Sequence, residues 1–158
     1  MKEDIKYIVT DQRDLDSIGF LWEKLNEHHR VRSPHHAGHF AHMTWDVRKK
    51  ELTDKSRNGF MRIDLARDVN SDKLIGYCVS TVSEKKQGEI DSIFIEKDYR
   101  RSGIGDTFME KSLKWMDGLL VTKRIIGVAI GNEEVFSFYA RYNFYPRVTI
   151  LSQLDTKK

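Results

Sequence analysis

Residues 88–108 read GEIDSIFIEKDYRRSGIGDTF. Ile90, Ile93, Phe94 and Ile95 supply the β-branched and aromatic content of a strand. Tyr99 to Ser102 place two arginines ahead of a loop, and Gly103 and Gly105 then open an amphipathic run through Phe108, Met109, Leu113 and Met116. The stretch therefore predicts strand, tight turn, glycine loop and helix. A glycine loop that feeds a helix N-terminus is an anion site. Its free backbone N–H groups point outward, the helix dipole adds partial positive charge, and glycine lets a phosphate approach.

The residue pattern narrows the ligand. A nucleotide P-loop needs Gly-Lys-Ser/Thr at its end, but Gly105 is followed by Asp106 and Thr107. A dinucleotide loop needs a third glycine, and position 108 is Phe. What remains is Arg100-x-x-Gly103-x-Gly105.

Outward from this stretch, the chain reads as one domain over residues 1–158, long enough for a single substantial core. No apolar run approaches the ~20 residues that span a bilayer. The charged N-terminus lacks the apolar region of a signal peptide, and one cysteine, Cys78, excludes an internal disulfide. Both lead us to expect a cytoplasmic protein without membrane association. The net charge of +3 is mild, and no basic stripe marks a nucleic-acid partner.

Lys6 to Thr10 predicts a first strand. Asp11 to about His29 predicts a helix with Leu15, Ile18, Trp22 and Leu25 on one face. Ser33-Pro34 reads as the start of a second helix running to about Leu52, with Phe40, Met43 and Val47 as its buried face. Phe60–Asp68 and Leu74–Val82 predict two strands joined by a hairpin loop. After the glycine loop and its helix, residues Ile125 to Ile130 predict a short buried strand. Asn132 to Arg141 predicts a helix capped by Asn132, and Tyr145 to Leu154 a last strand. This order gives an α/β fold, a mixed sheet with helices on both faces.

Beyond the glycine loop stand Val128-Ala129-Ile130-Gly131-Asn132 and then Phe138-Tyr139-Ala140-Arg141-Tyr142-Asn143-Phe144. Together with Arg100-x-x-Gly103-x-Gly105 and the element order, these residues resemble the GNAT (Gcn-type) N-acetyltransferases. Residues 60 to 150 carry the resemblance, and the first 55 share only element order. There are two departures: Val135 replaces a usual Ala, and Asn143 replaces a usual Gly. Asn is the best non-glycine residue for a left-handed helix end.

The resemblance implies acetyl-coenzyme A as co-substrate and transfer of its acetyl group to a primary amine of a small molecule or peptide. It implies a mostly antiparallel mixed sheet and pairing as a homodimer. Backbone groups of Ile93, Phe94 and Ile95 would bind pantetheine. Arg100 and the loop of Arg101, Ser102, Gly103, Ile104, Gly105 and Asp106 would take the pyrophosphate, and Asn132 would contact the cofactor arm. Tyr139, of the Phe-Tyr pair, would protonate the leaving thiolate, as a phenol can.

Amine attack needs a base. Glu89 and Asp91 stand two apart on a strand and so share a face. By distance from Arg100, Glu89 takes the place of the catalytic glutamate in histone-type members of the resembled family, and Asp91 that in diamine-type members. Either one, directly or through water, is a candidate; ordinary solvent-facing residues are the plainer alternative. The acidic pair favours a cationic acceptor.

All six histidines lie between His28 and His42. On a helix from Ser33, the residues His35, His39, His42 and Asp46 form one stripe. It reads as a solvated polar face, as a zinc-chelating set, or, with Glu23 and Glu27, as a wall of the acceptor site. Two other classes therefore stand beside the enzyme: a regulatory module that binds acyl-coenzyme A without turnover, and a metal-binding protein. Cys78 reads as a buried core residue, so attack by the amine is direct, without an acetyl-enzyme.

Overall fold

A computed structural model describes residues 4–155. Five strands form one sheet in the order β1 (Ile5–Thr10), β2 (Phe60–Asp68), β3 (Lys73–Val82), β4 (Gln87–Ile95) and β5 (Lys123–Ile126). The first four are antiparallel to their neighbours, and β5 runs parallel to β4. The crossover between β4 and β5 is α4 (Ile104–Gly118), the helix that follows the glycine loop. The expected mixed sheet is thus present, and so is the hairpin between β2 and β3.

Each face of the sheet carries a core. On one face α1 (Gly19–Arg32) and α3 (Trp45–Lys55) cover Ile63, Leu65, Tyr77, Val79 and Phe94, filling the space with Leu15, Ile18, Leu21, Trp22 and Leu52. On the other face α4 and α5 (Phe136–Ala140) cover Ala66, Cys78, Val82 and Ile90, with Ile104, Phe108, Met109, Met116 and Tyr139. β3 serves both cores, and nine of its ten residues are buried, so it reads as a continuous apolar run rather than an alternation.

β4 has a two-for-one register. Ser80 faces Ile90 and Val79 faces Ser92, so Asp91 is the extra residue of a bulge. A bulge reverses which face later side chains occupy. Ile90 accordingly lies under α4, while Phe94, four residues on, packs in the opposite core.

Four expectations are corrected. The stretch 12–18 is a 3₁₀ segment kinked at Asp14, and only from Gly19 is the helix regular; its apolar face is as expected. The single helix over 33–52 is broken into α2 (Ala37–His42) and α3. Ser33 does not start a helix; it ends α1 in extended conformation, because the proline ring at 34 disfavours helical backbone before it. Its hydroxyl caps a turn by accepting from the His36 N–H at 2.9 Å. Thr44 is the true cap of α3, accepting from the Val47 N–H at 3.3 Å, and Val47 is exposed rather than buried. The helix expected from Asn132 is a 3₁₀ turn, Glu133–Val135, followed by the short α5, and Asn132 supplies no side-chain cap.

The fourth correction concerns the sheet. β5 ends at Ile126 instead of Ile130, and the strand expected over Tyr145–Leu154 is irregular chain. Tyr145, Val148, Ile150 and Leu151 are all exposed. Their composition suits a strand, but a strand exists only through its ladder, and no neighbour pairs with this segment among the described residues.

Candidate active site

The parallel pairing of β4 and β5 stops at Ile90 and Ile126, whereas β4 continues to Ile95. Past that point the strands diverge. Residues Asp91 to Ile95 keep β3 on one side, and on the other side no strand pairs with them among the described residues. One row of their backbone N–H and C=O groups therefore faces a cleft.

This cleft has a volume of about 400 Å3. Ile93, Phe94 and Ile95 form one wall, and Val135, Phe138 and Tyr139 from the region of α5 face them. Arg100, Arg101, Gly103, Gly105 and Asp106 close one end. Gly103 has φ +89°, a left-handed conformation that glycine takes without strain, and it caps α4. The chain can thus turn sharply from the arginines into the helix, leaving the first N–H groups of α4 directed at the cleft end. The Arg100 Nε–H donates to the Ile95 carbonyl at 2.8 Å, and its guanidinium lies 5.5 Å from the centre of the Phe94 ring.

Asp106 is an acid in the first turn of a helix expected to receive an anion, but it is matched locally. The Tyr142 hydroxyl donates to its carboxylate, and Arg141 pairs with it at 2.8 Å. These partners, the hydroxyl foremost, hold its carboxyl below the usual carboxylate range. Asn143, in the turn three residues past α5, has φ +66°, the left-handed conformation its type tolerates best after glycine.

Tyr139 is buried, and burial pushes its phenol well above the ordinary value. Its hydroxyl makes no hydrogen bond among the described residues, burial keeps the phenol protonated, and the residue lines the cleft. Asn132 lines the same cleft, and its Oδ1 lies 3.3 Å from Nε2 of His28 on α1. Gly131 beside it has φ +99°, and a Cβ there would stand 2.3 Å from the Arg32 carbonyl oxygen, so only glycine allows this loop to close on the end of α1.

Two of the expected cofactor residues do not line the cleft with side chains. Ile104 is packed in the core under the sheet, and the Ser102 hydroxyl turns back to donate to the Tyr99 carbonyl. Their contribution is confined to the backbone of the loop.

A second, smaller cavity of about 260 Å3 lies beside the first, and Leu25 of α1 lines both. Its walls are Trp22, Phe40 and Met43, with Asn26, His29, His39, Arg48, Glu51, Asp91 and Ser92 as polar members. Asp91 and Glu89 come together as their spacing predicts, on Lys55 of α3. The Lys55 ammonium pairs with Glu89 at 2.6 Å and also with Asp91. The Asp91 side chain has no exposed surface, and its second carboxylate oxygen accepts from the Thr81 hydroxyl at 2.7 Å. Burial raises its pKa, against the pull of Lys55. Asp91 borders the smaller cavity; Glu89 lines neither cavity.

The histidine stripe does not exist as a stripe, because the helix that would carry it is broken. His35 lies outside any helix, and His42 turns its Nδ1 to the Gly38 carbonyl at 2.6 Å. No group of three or more His, Cys, Asp or Glu suited to a metal converges among the described residues. Of the six histidines, His28 lines the larger cavity, and His29 and His39 the smaller. Glu23 and Glu27 line neither. Cys78 is wholly buried, its thiol pushed up to about 12 by burial, and so is no nucleophile. No helix among the described residues is long and apolar enough to cross a membrane.

Sequence reasoning missed Leu25, His28, His29, Phe138 and Arg141 as wall residues. Phe138 and Arg141 lie inside a motif already quoted and could have been included. The α1 residues had no such signal, because helical spacing shows which face is apolar but not which cavity it borders.

A family model described as Acetyltransferase (GNAT) family matches residues 18–144. No curated protein matches the chain. Among solved structures, an acetyltransferase of GNAT family from Staphylococcus aureus Mu50 is similar at a TM-score of 0.67 and 13% identity, over 88% of this chain and 83% of that one. Ribosomal-protein-alanine N-acetyltransferase from Brucella melitensis biovar Abortus 2308 is similar at 0.61 and 14%, over 98% and 100%. Glucosamine-6-phosphate N-acetyltransferase from Arabidopsis thaliana is similar at 0.62 and 15%, over 96% and 99%. At these identities the likeness is one of fold.

Proposed function

Because the chain belongs to the GNAT acetyltransferase family, we propose that it transfers the acetyl group of acetyl-coenzyme A to a primary amine of a small molecule or peptide by direct attack. The observation that carries this reading is the larger cleft. It joins a glycine loop at a helix N-terminus to an unpaired strand edge along its side, with Tyr139, whose hydroxyl is unbonded among the described residues, in its wall. Pyrophosphate suits the loop of Arg100 to Asp106, and the amide groups of pantetheine suit the strand edge of Ile93 to Ile95, whose last carbonyl Arg100 already holds.

The chemistry divides among the chain's own groups. The amine nitrogen attacks the thioester carbon, forming the N–C bond, and the C–S bond breaks with its electron pair passing to sulfur. Tyr139, protonated at all working pH values, donates its proton to that sulfur. The proton lost by the amine passes through water to the acidic pair. The pair shares the counter-ion Lys55: Asp91 borders the smaller cavity but its side chain has no exposed surface, so Glu89, partly exposed, is the member that water reaches. The smaller cavity holds the acceptor.

The test is thermal unfolding with acetyl-coenzyme A or desulfo-coenzyme A, with ATP as control. A ligand that binds only the folded state stabilises by about 2.7 kcal/mol at a hundredfold excess over Kd. A shift with both coenzyme A ligands and none with ATP is expected. No shift at millimolar coenzyme A would leave the loop as a structural turn and remove the proposal.

A further inference from the structure

Two stretches with the composition of strands go without a ladder in this chain, and each supplies what the other lacks. The first is the outer edge of β5 and its continuation. β5 pairs with β4 on one side and ends at Ile126, yet the apolar run goes on through Gly127, Val128, Ala129 and Ile130. Along its other side no strand lies among the described residues. The second is the arm that follows α5, residues 145–154. There Tyr145, Val148, Ile150, Leu151 and Leu154 stand in water, Ile150 exposed to 85% and Leu151 to 91%. Single exposed apolar residues are ordinary on any surface, but five large ones within ten residues mark an interaction site.

A bare sheet edge is a template for a further strand. Within one copy the arm does not fill it: its side chains stay exposed, and its backbone joins no ladder among the described residues. A second copy brings both an edge for the arm and an arm for the edge, and two-fold symmetry makes the two exchanges the same contact. The residue pattern fits that use. In an extended arm Val148, Ile150 and Leu154 share one face with Ser152, while Arg147, Thr149 and Gln153 share the other with Tyr145 and Leu151. Ile126 and Val128 lie partly buried at the rim of the core under α4. A strand beside them would extend that core with Val148, Ile150 and Leu154 and leave the more polar face outside.

Charge sets the direction. Lys123 and Arg124 stand at the start of β5, and Arg147 near the start of the arm. Antiparallel pairing puts Arg147 beside the uncharged stretch 127–130, whereas parallel pairing would bring it to the two cations. The size is sufficient as well. Three aliphatic side chains from each arm remove about 400–700 Å2 of apolar surface from water. With the surface they cover, the total of about 800–1,400 Å2 reaches the ~1,000 Å2 that a specific interface needs.

We propose that the chain forms a two-fold dimer in which residues 145–154 of each copy add as an antiparallel strand to the β5 edge of the other. This goes beyond the acetyltransferase reading and holds whether or not that reading does.

Sedimentation equilibrium of the full chain should show a monomer–dimer equilibrium with a micromolar or lower dissociation constant. Val148→Asp combined with Ile150→Asp should raise that constant by at least about a hundredfold. Gln153→Asp, on the outward face, should change it by no more than about twofold. All three positions are exposed in the single copy, so the far-UV circular dichroism of these variants should match that of wild type. Cross-linking reads which surface the arm meets. Leu151→Cys carrying a benzophenone is diluted together with an isotopically heavy wild-type chain to allow exchange, then concentrated and irradiated; Cys78 is wholly buried and stays unlabelled. The expected products join the light arm to residues 123–130 of the heavy chain. A chain that stays monomeric up to the millimolar range would overturn the proposal. So would a dimer indifferent to Val148→Asp with Ile150→Asp, or cross-links confined to light chains, to β1 or to the opposing arm.

Discussion

The Lys55 ammonium on α3 lies 2.6 Å from a carboxylate oxygen of Glu89 on β4. The same ammonium pairs with Asp91, the extra residue of the β4 bulge. One cation thus serves two acids, one of which has no exposed side-chain surface. Lys55→Met would leave both carboxylates uncompensated. Lys55 itself is partly exposed, which softens the loss, and about 2 kcal/mol of stability should disappear. The sign of its pH dependence follows from Asp91. Its folded pKa stands above its unfolded one, so the folded state binds the extra proton and stability falls as pH rises through that interval. Without Lys55 the interval widens upward. Urea unfolding should show a larger deficit relative to wild type at pH 8 than at pH 4; an equal deficit at both would mean that the ion pair is not its source.

Tyr139→Phe removes only the hydroxyl from the cleft wall. Acetyl-coenzyme A affinity should hold within about twofold, while kcat falls by about 10²-fold, the usual scale of a lost general acid. Stopped-flow or steady-state rates with a saturating amine decide this. An unchanged kcat would reduce Tyr139 to a packing residue.

Gly131→Ala should be among the most damaging single-atom additions in the chain. The new Cβ would sit 2.3 Å from the Arg32 carbonyl oxygen, at a backbone angle that side chains rarely adopt. Strain of about 1–2 kcal/mol and overpacking of about 1–3 kcal/mol both apply. Thermal unfolding measures the total, and coenzyme A affinity should fall with it because Asn132 is the next residue. A melting point equal to that of wild type would mean that the loop does not close on α1.

His29 sets a pH window for stability. Its folded pKa is depressed to about 4 from the model-peptide value of 6.5, chiefly by burial. Between those two values the unfolded chain binds the proton and the folded one does not. This contribution to stability is therefore complete above about pH 6.5 and lost as pH falls toward 4. Subtracting the profile of His29→Gln from that of wild type should leave a rise across that window. A flat difference would place His29 in solvent.

Much of this was legible before any coordinates. Gly103, Gly105 and the arginines before them marked one end of the cleft, because a glycine turn into a helix is set by a few adjacent residues. Tyr139 and Asn132 could be placed by motif spacing, and Asn143 by its tolerance of a left-handed backbone. Ser33-Pro34 fits both a helix start and a helix stop, and the hold of the proline ring on the residue before it made it the stop. The other misreadings turn on partners distant in sequence. The bulge at Asp91 comes from the register of β3, which no local pattern encodes. Residues 145–154 have the composition of a strand but no ladder. His29 was seen only as one of a cluster, since the wall it joins is built by α2, α3 and β4 together.

Leu25 is the one side chain of α1 that borders both cavities. A partition that thin ties the two occupants to each other in time. With Cys78 sealed in the core, the direct attack proposed above needs both substrates aboard together, and initial-rate lines plotted as reciprocals should intersect rather than run parallel. A bulkier residue at 25 would narrow both chambers at once, raising the KM for donor and acceptor alike, although only one side chain had changed.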